Sequence, residues 1–280
     1  MEQKLESNKK TDAYQQRSER GGISGVLENA LRKFQILAHL ILVAPLYLIG
    51  SCCLGLAIVP GIYLFQWTDS FTNGWSQLAR FWMLGSSLGA GYFMYGFSML
   101  FIAPALNFAF RSSLGAWRGP YYSLPAIRWY IHNGLTYLVR YTFLEFVTPT
   151  PFNLMFYRMM GMKIGEGTII NTTHLSDPSL IQMGRKVTLG GSVAIVGHYG
   201  QGGYLVLAPV KIGDKATIGL RAILMGGVEI GAEAKILPGS VVLPKTIVPA
   251  GETWGGVPAV RIDTEELKKN QNQKPHLKVA

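Results

Sequence analysis

The sequence predicts two membrane-spanning helices followed by a solenoid of short β-strands. The 280 residues are 49% hydrophobic and only 15% charged, which is more apolar than an ordinary soluble protein. Two long apolar runs, 34–67 and 81–110, fall in the first half of the chain. From Val206 onward an aliphatic residue recurs every six positions. The apolar runs indicate a membrane, and the period indicates stacked repeats.

The first apolar run is longer than one membrane crossing needs. Residues 34–67 would extend about 51 Å as a helix, against roughly 30 Å for the bilayer core. Pro45 and Pro60 are expected to bend or end this helix. One span, or a span with a re-entrant segment, remains open for this run. The second run, 81–110, is long enough for one further span, so the two form a hairpin.

Charge predicts the orientation of this hairpin. The connecting segment 68–80 carries only Asp69 and Arg80. Basic residues cluster before the first run and again after the second, at Arg111, Arg118 and Arg128. By the positive-inside rule both ends and the solenoid are cytoplasmic, in a protein integral to a bacterial inner or plasma membrane. The formal net charge of +10 is assigned to anionic lipid rather than nucleic acid, because no basic helix or RNA-binding aromatic signature accompanies it.

Composition divides the chain into four parts. Residues 1–22 are polar and poor in aliphatic residues, which predicts a disordered tail. Residues 23–160 form the membrane domain, 161–261 the solenoid, and 262–280 a C-terminal tail. The membrane domain ends in a predicted interfacial helix, 125–147.

The interfacial helix is predicted from a narrow polar stripe. Its polar residues are spaced by four, as on one face of a helix: Arg128, His132, Thr136 and Arg140. The rest of the segment is aromatic and aliphatic. Such a helix is expected to lie in the membrane interface, with Trp129 and Tyr130 at headgroup level.

The second half of the chain has a period of six. The aliphatic positions are Val206, Ile212, Ile218, Leu224, Ile230, Ile236, Val242 and Val248, followed by Trp254. Neither the helical period nor simple alternation explains this spacing, whereas short strands joined by tight corners do. An earlier register runs through Met183, Leu189 and Ile195. The eleven residues between Ile195 and Val206 break the period, so the glycine-rich stretch between them is predicted to be a loop pushed out of the solenoid.

The repeat units resemble those of the hexapeptide-repeat acyltransferases. The residues that carry the resemblance are "IGDKAT", "IGLRAI" and "IGAEAK", and the ending "VPAGETWGGVPAVRI" resembles the last coil of that family. "SDPSLIQMG" resembles a recurring first coil. The resemblance implies a left-handed parallel β-helix, here of about five coils. The membrane hairpin followed by such a helix also resembles the membrane-bound C-terminal part of ε-poly-lysine synthetase and related peptide synthetases.

Acyl transfer from a thioester requires a base near neutral pH, and histidine suits that role. His198 lies at the root of the predicted loop, among glycines that let a ligand approach the backbone. The family also carries its base as a histidine near the coil surface, so His198 is the predicted catalytic residue. His174 is the alternative base. Asp177 or Glu166 is expected to orient one of the two histidines.

The other predicted site residues would bind the substrates. Those of the loop, expected to line the acceptor pocket, are Tyr199, Gln201 and Tyr204. Those of the last coils, which the resemblance places against a coenzyme A or its phosphates, are Lys245, Trp254, Gly256, Pro258, Ala259 and Arg261. No permanently bound cofactor is predicted. No metal site is predicted either, because only His174 and His198 fall in the solenoid, whereas zinc in the carbonic anhydrases of this fold takes three histidines.

The resulting expectation is a membrane-bound acyltransferase that uses acyl-CoA and modifies a hydroxyl or amine of an amphiphilic or lipid-linked acceptor. The resemblance implies a homotrimer. Two alternatives remain open. The donor could be an aminoacyl or peptidyl thioester on a carrier protein, or the protein could be a catalytically silent scaffold of a membrane complex.

The orientation of the hairpin can be tested at Asn73, which lies between the two apolar runs. In intact cells, Asn73→Cys is expected to react with a membrane-impermeant maleimide added from outside, because the positive-inside rule leaves this segment external. The native Cys52 and Cys53 are replaced by alanine beforehand. Labelling of Asn73→Cys only after the cytoplasmic side is opened would reverse the orientation.

Overall fold

The computed structural model describes residues 21–263. The predicted tails therefore lie almost entirely outside the described residues. The chain divides into two compact units. Within the described range, the first unit comprises residues 21–161 together with 200–206, and the second comprises 162–199 together with 207–263.

Two long helices dominate the first unit. Helix α1, Gly22–Phe71, continues through Pro45 and Pro60, so the first apolar run is part of one continuous helix and the prolines do not end it. Helix α2 is Gln77–Ala109. The segments Ala44–Phe71 and Gln77–Ala109 are both long and apolar enough to cross a membrane.

The two long helices touch where both carry glycine. A Cβ atom added to Gly61 would lie only 3.1 Å from the Cα of Gly91, so any larger residue would separate the backbones. Small residues allow such close packing in apolar surroundings, where burial of oily side chains provides no driving force. An ion pair of 2.6 Å between Asp69 and Arg80 joins the two helices beside their connection.

The predicted interfacial helix is shorter than expected. Helix α3 is Leu124–Thr142, and a 3₁₀ turn, Leu144–Val147, follows it. A further helix, α4, is Pro151–Met159.

The middle of the polar stripe on α3 is buried. His132 and Thr136 are completely buried, and His132 Nδ1 lies 2.8 Å from Asn107 Oδ1. The Thr136 hydroxyl donates to the carbonyl of His132. Two of the four residues of the predicted stripe therefore lie inside the fold. A spacing of four shows that polar residues share one face, but it cannot distinguish a face in contact with water from a face that finds hydrogen-bond partners inside the fold.

The second unit is a parallel β-helix with three sheets. Sheet I contains β2 (Lys163–Ile164), β5 (Ile181–Met183), β10 (Val210–Ile212), β13 (Glu229–Ile230) and β16 (Ile247–Val248). The parallel strands of sheet II are β3 (Ile169–Ile170), β6 (Thr188–Leu189), β11 (Thr217–Ile218), β14 (Lys235–Ile236) and β17 (Thr253–Gly255), and an antiparallel sixth strand follows at its end. Sheet III contains β4 (Leu175–Ser176), β7 (Ala194–Val196), β12 (Ile223–Leu224) and β15 (Val241–Val242). Five strands in two of the three sheets correspond to the five coils expected from the sequence.

The period of six arises from three strands per coil. Partner residues in successive coils are 18 positions apart, as Ile212 and Ile230 are (230 − 212 = 18). The aliphatic residues at these positions point inward and are at most 3% exposed: Ile212, Ile218, Leu224, Ile230, Ile236, Val242 and Val248. The predicted interior is confirmed at these positions. Val206, the first position of the predicted period, does not belong to this set, because it lies in the inserted segment described next.

The break in the period is a β-hairpin. Strands β8 (His198–Gln201) and β9 (Tyr204–Leu207) are joined by Gly202 and Gly203, both with positive φ. Two successive residues with positive φ define a type I′ turn, which matches the twist of a two-stranded ribbon. Strand β9 lies between β8 and β1 (Trp117–Pro120), and residues 200–206 belong to the first unit.

The insertion is longer than the sequence pattern indicates. Ile212 pairs with Met183, 29 positions earlier, so eleven residues are added to the usual 18 (18 + 11 = 29). The apparent restart of the period at Val206 arises because β9 is itself aliphatic. The first regular position after the insertion is Ile212.

The last coil ends differently from the others. Strand β18, Val260–Arg261, pairs antiparallel with β17, with Trp254 opposite Arg261. The chain thus turns back on the last strand of sheet II.

Glycine follows the inward aliphatic residue because consecutive coils leave no space there. A Cβ atom at Gly213 would lie 2.5 Å from the backbone nitrogen of Ala232, and one at Gly231 would lie 2.4 Å from that of Ala250. Backbone atoms of a stacked coil cannot yield as a flexible side chain can. The glycines of the repeat are therefore required by the spacing between coils.

Gly231→Ala is expected to destabilise the β-helix by about 1 to 3 kcal/mol, the usual cost of overpacking. Gly191→Ala is the matched control, because its Cβ would meet only the tip of Leu220, at 3.1 Å. Unfolding of both variants in mild detergent can be followed by tryptophan fluorescence. Equal unfolding temperatures for the two variants would contradict this explanation of the repeat glycines.

Candidate active site

The turn from sheet III to sheet I, which we call the site edge, brings the predicted catalytic residues together. Within the second unit it is formed by residues 177–180, 197–199 with 207–209, 225–228 and 243–246. These turns stack on one another. The Ala208 N–H donates to the carbonyl of Gly197, and the Gly227 N–H donates to that of Ala208. The Lys245 N–H donates to the carbonyl of Gly226.

His198 and Asp177 form a close pair on this edge. His198 Nδ1 lies 2.6 Å from Asp177 Oδ2. The Asp177 side chain is completely buried, whereas that of His198 is 21% exposed. The carboxylate thus holds the imidazole from the inside of the coil, while part of the ring reaches the surface.

The backbone places Asp177 for this contact. Asp177 has φ 59° and ψ 54°, a left-handed conformation that aspartate tolerates better than most residues, and it precedes the 3₁₀ turn Pro178–Leu180. Its neighbour in the next coil is Gly197. A Cβ at Gly197 would lie 3.1 Å from both Asp177 Cβ and Leu180 Cβ. Gly197 therefore lets the residue after it, His198, approach the buried carboxylate.

This geometry selects a tautomer of the histidine. An ionised carboxylate can only accept hydrogen bonds, so Nδ1–H of His198 is the donor. The lone pair of the neutral ring is then on Nε2. A histidine held in this way can take a proton at Nε2, while the carboxylate stabilises the imidazolium that forms. The arrangement suits general-base chemistry.

The other candidates for base and orienting group occupy different surroundings. His174 is exposed, and its Nδ1 lies 3.5 Å from the Thr172 hydroxyl oxygen. Glu166 is exposed on an outer turn. Of the pairings left open by the sequence, the structure contains the one between Asp177 and His198.

The three predicted acceptor residues of the hairpin differ in their surroundings. Tyr199 is half-buried at the site edge, where its Cδ1 would lie 3.1 Å from a Cβ at Gly226. Gln201 is exposed. Tyr204 lies in the first unit, where the Arg118 guanidinium carbon is 4.5 Å from the centre of its ring. Gly226 was not predicted from the sequence, although the doubled glycine after Met225 marks its turn as unusual.

Lys245 lies on the same edge as His198. Its side chain is exposed, and its backbone is two coils from Gly197. Strands in a sheet are separated by about 4.8 Å, so the two positions are about 10 Å apart along the β-helix axis. The sequence predicted both residues separately. Their alignment follows from the coil repeat of 18 residues, which places Lys245 in the next coil at the position that corresponds to Gly227.

The turn 256–259 caps sheet III. The Val241 N–H donates to the carbonyl of Gly256, and the Ala259 N–H donates to that of Val241. The Gly256 N–H donates to the Ser240 hydroxyl. This turn, which contains Pro258, thus occupies the place of a fifth strand in that sheet.

Glu252, which the sequence analysis did not single out, organises two predicted residues of the last coil. Trp254 Nε1–H donates to Glu252 Oε2 over 2.8 Å, and Arg261 Nε lies 3.5 Å from Glu252 Oε1. Arg261 remains 73% exposed, so most of its side chain stays in solvent.

Fold and site together define a parallel β-helix built from hexapeptide repeats, with a carboxylate-oriented histidine on one edge. The resemblance to hexapeptide-repeat acyltransferases is confirmed by comparison with known proteins. The chain is 26% identical over 160 residues to the Bacillus subtilis protein named "Putative acetyltransferase YvoF", covering 52% of this chain and 90% of that protein. No protein-family model matches the chain.

Two further relatives have other names. Over 164 residues the chain is 26% identical to delta-poly-L-ornithine synthetase of Acinetobacter baumannii, covering 59% of this chain and 12% of the relative. Over 126 residues it is 31% identical to mitochondrial gamma carbonic anhydrase 2 of Arabidopsis thaliana, covering 43% of this chain and 44% of the relative. The chain thus spans less than half the length of each of these two relatives.

Solved structures of hexapeptide-repeat enzymes also align with the chain. A maltose O-acetyltransferase from Clostridium difficile has a TM-score of 0.42 and 20% identity, covering 54% of this chain and 94% of that one.

The tautomer of His198 can be observed directly. In ¹⁵N-histidine-labelled protein, the neutral ring of His198 is expected to carry its proton on Nδ1 and none on Nε2, because Asp177 accepts from Nδ1. Solid-state ¹⁵N NMR distinguishes the two nitrogens. Asp177→Asn should remove this signature, and His174→Ala should leave it in place. A neutral His198 ring with its proton on Nε2 would contradict this assignment.

Proposed function

We propose that this protein is a membrane-bound acyltransferase of the hexapeptide-repeat type. It would move an acyl group from acyl-CoA to a hydroxyl or amine of an amphiphilic or lipid-linked acceptor. The observation that carries the proposal is the 2.6 Å contact between buried Asp177 and partly exposed His198. A buried carboxylate that fixes the ring of a surface histidine is an arrangement that suits general-base catalysis.

The proposed reaction uses His198 twice. Nε2 takes the proton of the acceptor hydroxyl or amine as its oxygen or nitrogen attacks the thioester carbonyl carbon. The tetrahedral intermediate then collapses, the carbon–sulfur bond breaks, and the imidazolium returns the proton to the leaving thiolate. The products are the acylated acceptor and free coenzyme A. Asp177 keeps the ring oriented and stabilises its charged form between the two steps.

We assign the donor to the end of the β-helix beyond His198. Lys245 and Arg261 are exposed cations that suit the phosphates of coenzyme A. The turn 256–259 and Trp254 lie on the last coil, where the family resemblance places the thiol cofactor. About 10 Å separates the backbones of Gly197 and Lys245 along the axis, so an extended donor could reach from the cations to the base.

A membrane-anchored enzyme of this kind favours an acceptor that is itself held in the bilayer. The two apolar helices supply the anchor. Membrane lipid is therefore a proposed partner, and the β-helix is proposed to be cytoplasmic. A homotrimer, usual for the family, is proposed as the functional assembly.

The relation to delta-poly-L-ornithine synthetase favours one alternative donor. An aminoacyl or peptidyl thioester on a carrier protein could replace acyl-CoA, with the same proton transfers at His198. This chain aligns with only 12% of that relative, and the alternative takes its thioester from a carrier protein acting in trans.

The relation to gamma carbonic anhydrase raises the question of zinc. Zinc in a catalytic site takes three protein ligands. Within residues 21–263 no three histidine, cysteine or acidic side chains are grouped to hold a metal. These residues do not fit a zinc ion, and the proposed reaction uses none.

His198→Ala is expected to lower kcat by roughly two to four orders of magnitude, the usual contribution of a general base. KM should change little, because the base acts mainly in the transition state. Asp177→Asn should lower kcat in the same direction, since it disturbs the tautomer of His198. Release of free thiol from acyl-CoA in the presence of acceptor measures each rate.

His174→Ala is the matched control and should retain most of the activity. Near-normal turnover by folded His198→Ala protein would refute the proposal and favour a scaffold. If acyl-CoA is inert but a thioester on a carrier protein is consumed in a His198-dependent manner, the alternative donor is correct.

A further inference from the structure

The stretch from the end of α1 to the turn after α3 is strongly biased in charge. From Ser70 to Leu144 the sequence contains no aspartate or glutamate. The same stretch contains five arginines: Arg80, Arg111, Arg118, Arg128 and Arg140. The inserted hairpin, residues 198–207, also has no acidic residue. Positive charge therefore exceeds negative charge in these two stretches.

Two of these arginines are engaged within the fold. Arg80 forms an ion pair with Asp69, and Arg140 lies against the rings of Tyr137 and Tyr141. The other three arginines are exposed, and within residues 21–263 none of them forms an ion pair: Arg111, Arg118 and Arg128. An exposed cation without a counter-charge is available to an anionic ligand.

Arg118 differs from the other two because its guanidinium is held in place. It lies on β1, with its central carbon 4.5 Å from the centre of the Tyr204 ring on the hairpin. A guanidinium carbon above a ring lets one planar face of the group contact the aromatic surface. Its N–H groups lie at the edge of that plane, where they can form paired hydrogen bonds with a planar or tetrahedral oxyanion.

The surroundings of this contact within the first unit are aromatic. The Tyr121 hydroxyl lies beside Gly200 of the hairpin, 2.9 Å from where a Cβ would be. The Tyr121 and Trp129 rings are 6.5 Å apart. Tyrosine and tryptophan are enriched at the level of lipid headgroups. An arginine in a segment that carries such rings, close in sequence to the end of an apolar helix, is suited to bind a charged group at headgroup level.

From these observations we propose that Arg118, held on Tyr204, binds the phosphate of the acceptor headgroup. The ligand class is a phosphate or pyrophosphate group, borne either by a membrane lipid or by a free phosphorylated compound. The inference rests on the proposed function, because it names the acceptor of that reaction. The hairpin that carries Tyr204 in its second strand carries His198 at the start of its first, so phosphate recognition and base belong to one short segment.

The test measures binding by isothermal titration calorimetry of the full-length protein in a nonionic detergent, without acyl donor. The probes are dihexanoyl phosphatidylglycerol and inorganic pyrophosphate, with dihexanoyl phosphatidylcholine as the zwitterionic control. Arg118→Ala is expected to weaken binding of the anionic probe about tenfold, the usual size of a lost charge-assisted hydrogen bond. Arg118→Lys should restore binding only partly, because it keeps the charge but not the paired donors.

Arg128→Ala is the matched control, since it removes the same charge from an exposed position in the same unit. It should change the affinity less than twofold. Binding of phosphatidylglycerol alone identifies a lipid headgroup, and binding of pyrophosphate alone identifies a free phosphorylated compound. Equal losses in the Arg118 and Arg128 variants would indicate diffuse attraction and overturn the proposal, as would unchanged binding by Arg118→Ala.

These outcomes are separable from those of the proposed reaction. Binding is measured without a donor, so failure of the phosphate site leaves the effect of His198→Ala on turnover untouched. Conversely, Arg118-dependent binding to a protein whose turnover does not require His198 would preserve the phosphate site and remove the proposed chemistry.

Discussion

The close stacking of one coil on the next is the constraint on which the second unit depends. Each strand of a coil donates and accepts hydrogen bonds along the axis, so the separation of coils is set by the backbone. At that separation Gly213 and Gly231 face backbone atoms of the following coil at distances no Cβ could tolerate. The interior is then filled by aliphatic residues pointing inward from all three sheets. The separation of the coils therefore also fixes the volume that the inward-pointing side chains must fill.

This rigidity allows chemistry to be placed on an insertion. The coil closes beneath the hairpin through the hydrogen bond from the Ala208 N–H to the carbonyl of Gly197, and Ile212 returns to register with Met183. The scaffold thus does not need the inserted residues for its own pairing. His198, the proposed base, lies where the insertion leaves the coil, beside a carboxylate that belongs to the coil before it.

Much of the β-helix could be predicted because its constraints repeat. Each aliphatic position and each glycine follows the same spacing. The repeat can therefore be recognised even though single positions such as Val206 depart from it. The pairing of Asp177 with His198 could not be chosen over Glu166 or His174, because it depends on a single left-handed residue and one turn. The burial of His132 was also not predictable, since its partner Asn107 is distant in sequence and belongs to another helix.

The reversed strand at the end of the β-helix has a consequence for growth of the stack. Parallel coils could in principle be added without limit, and an open strand edge of this kind is a template for unwanted pairing between molecules. Here β18 occupies the edge of β17 with the opposite chain direction, and the turn 256–259 covers the last strand of sheet III. These two covers leave no open parallel strand at that end of sheets II and III, so they disfavour end-to-end pairing of molecules there.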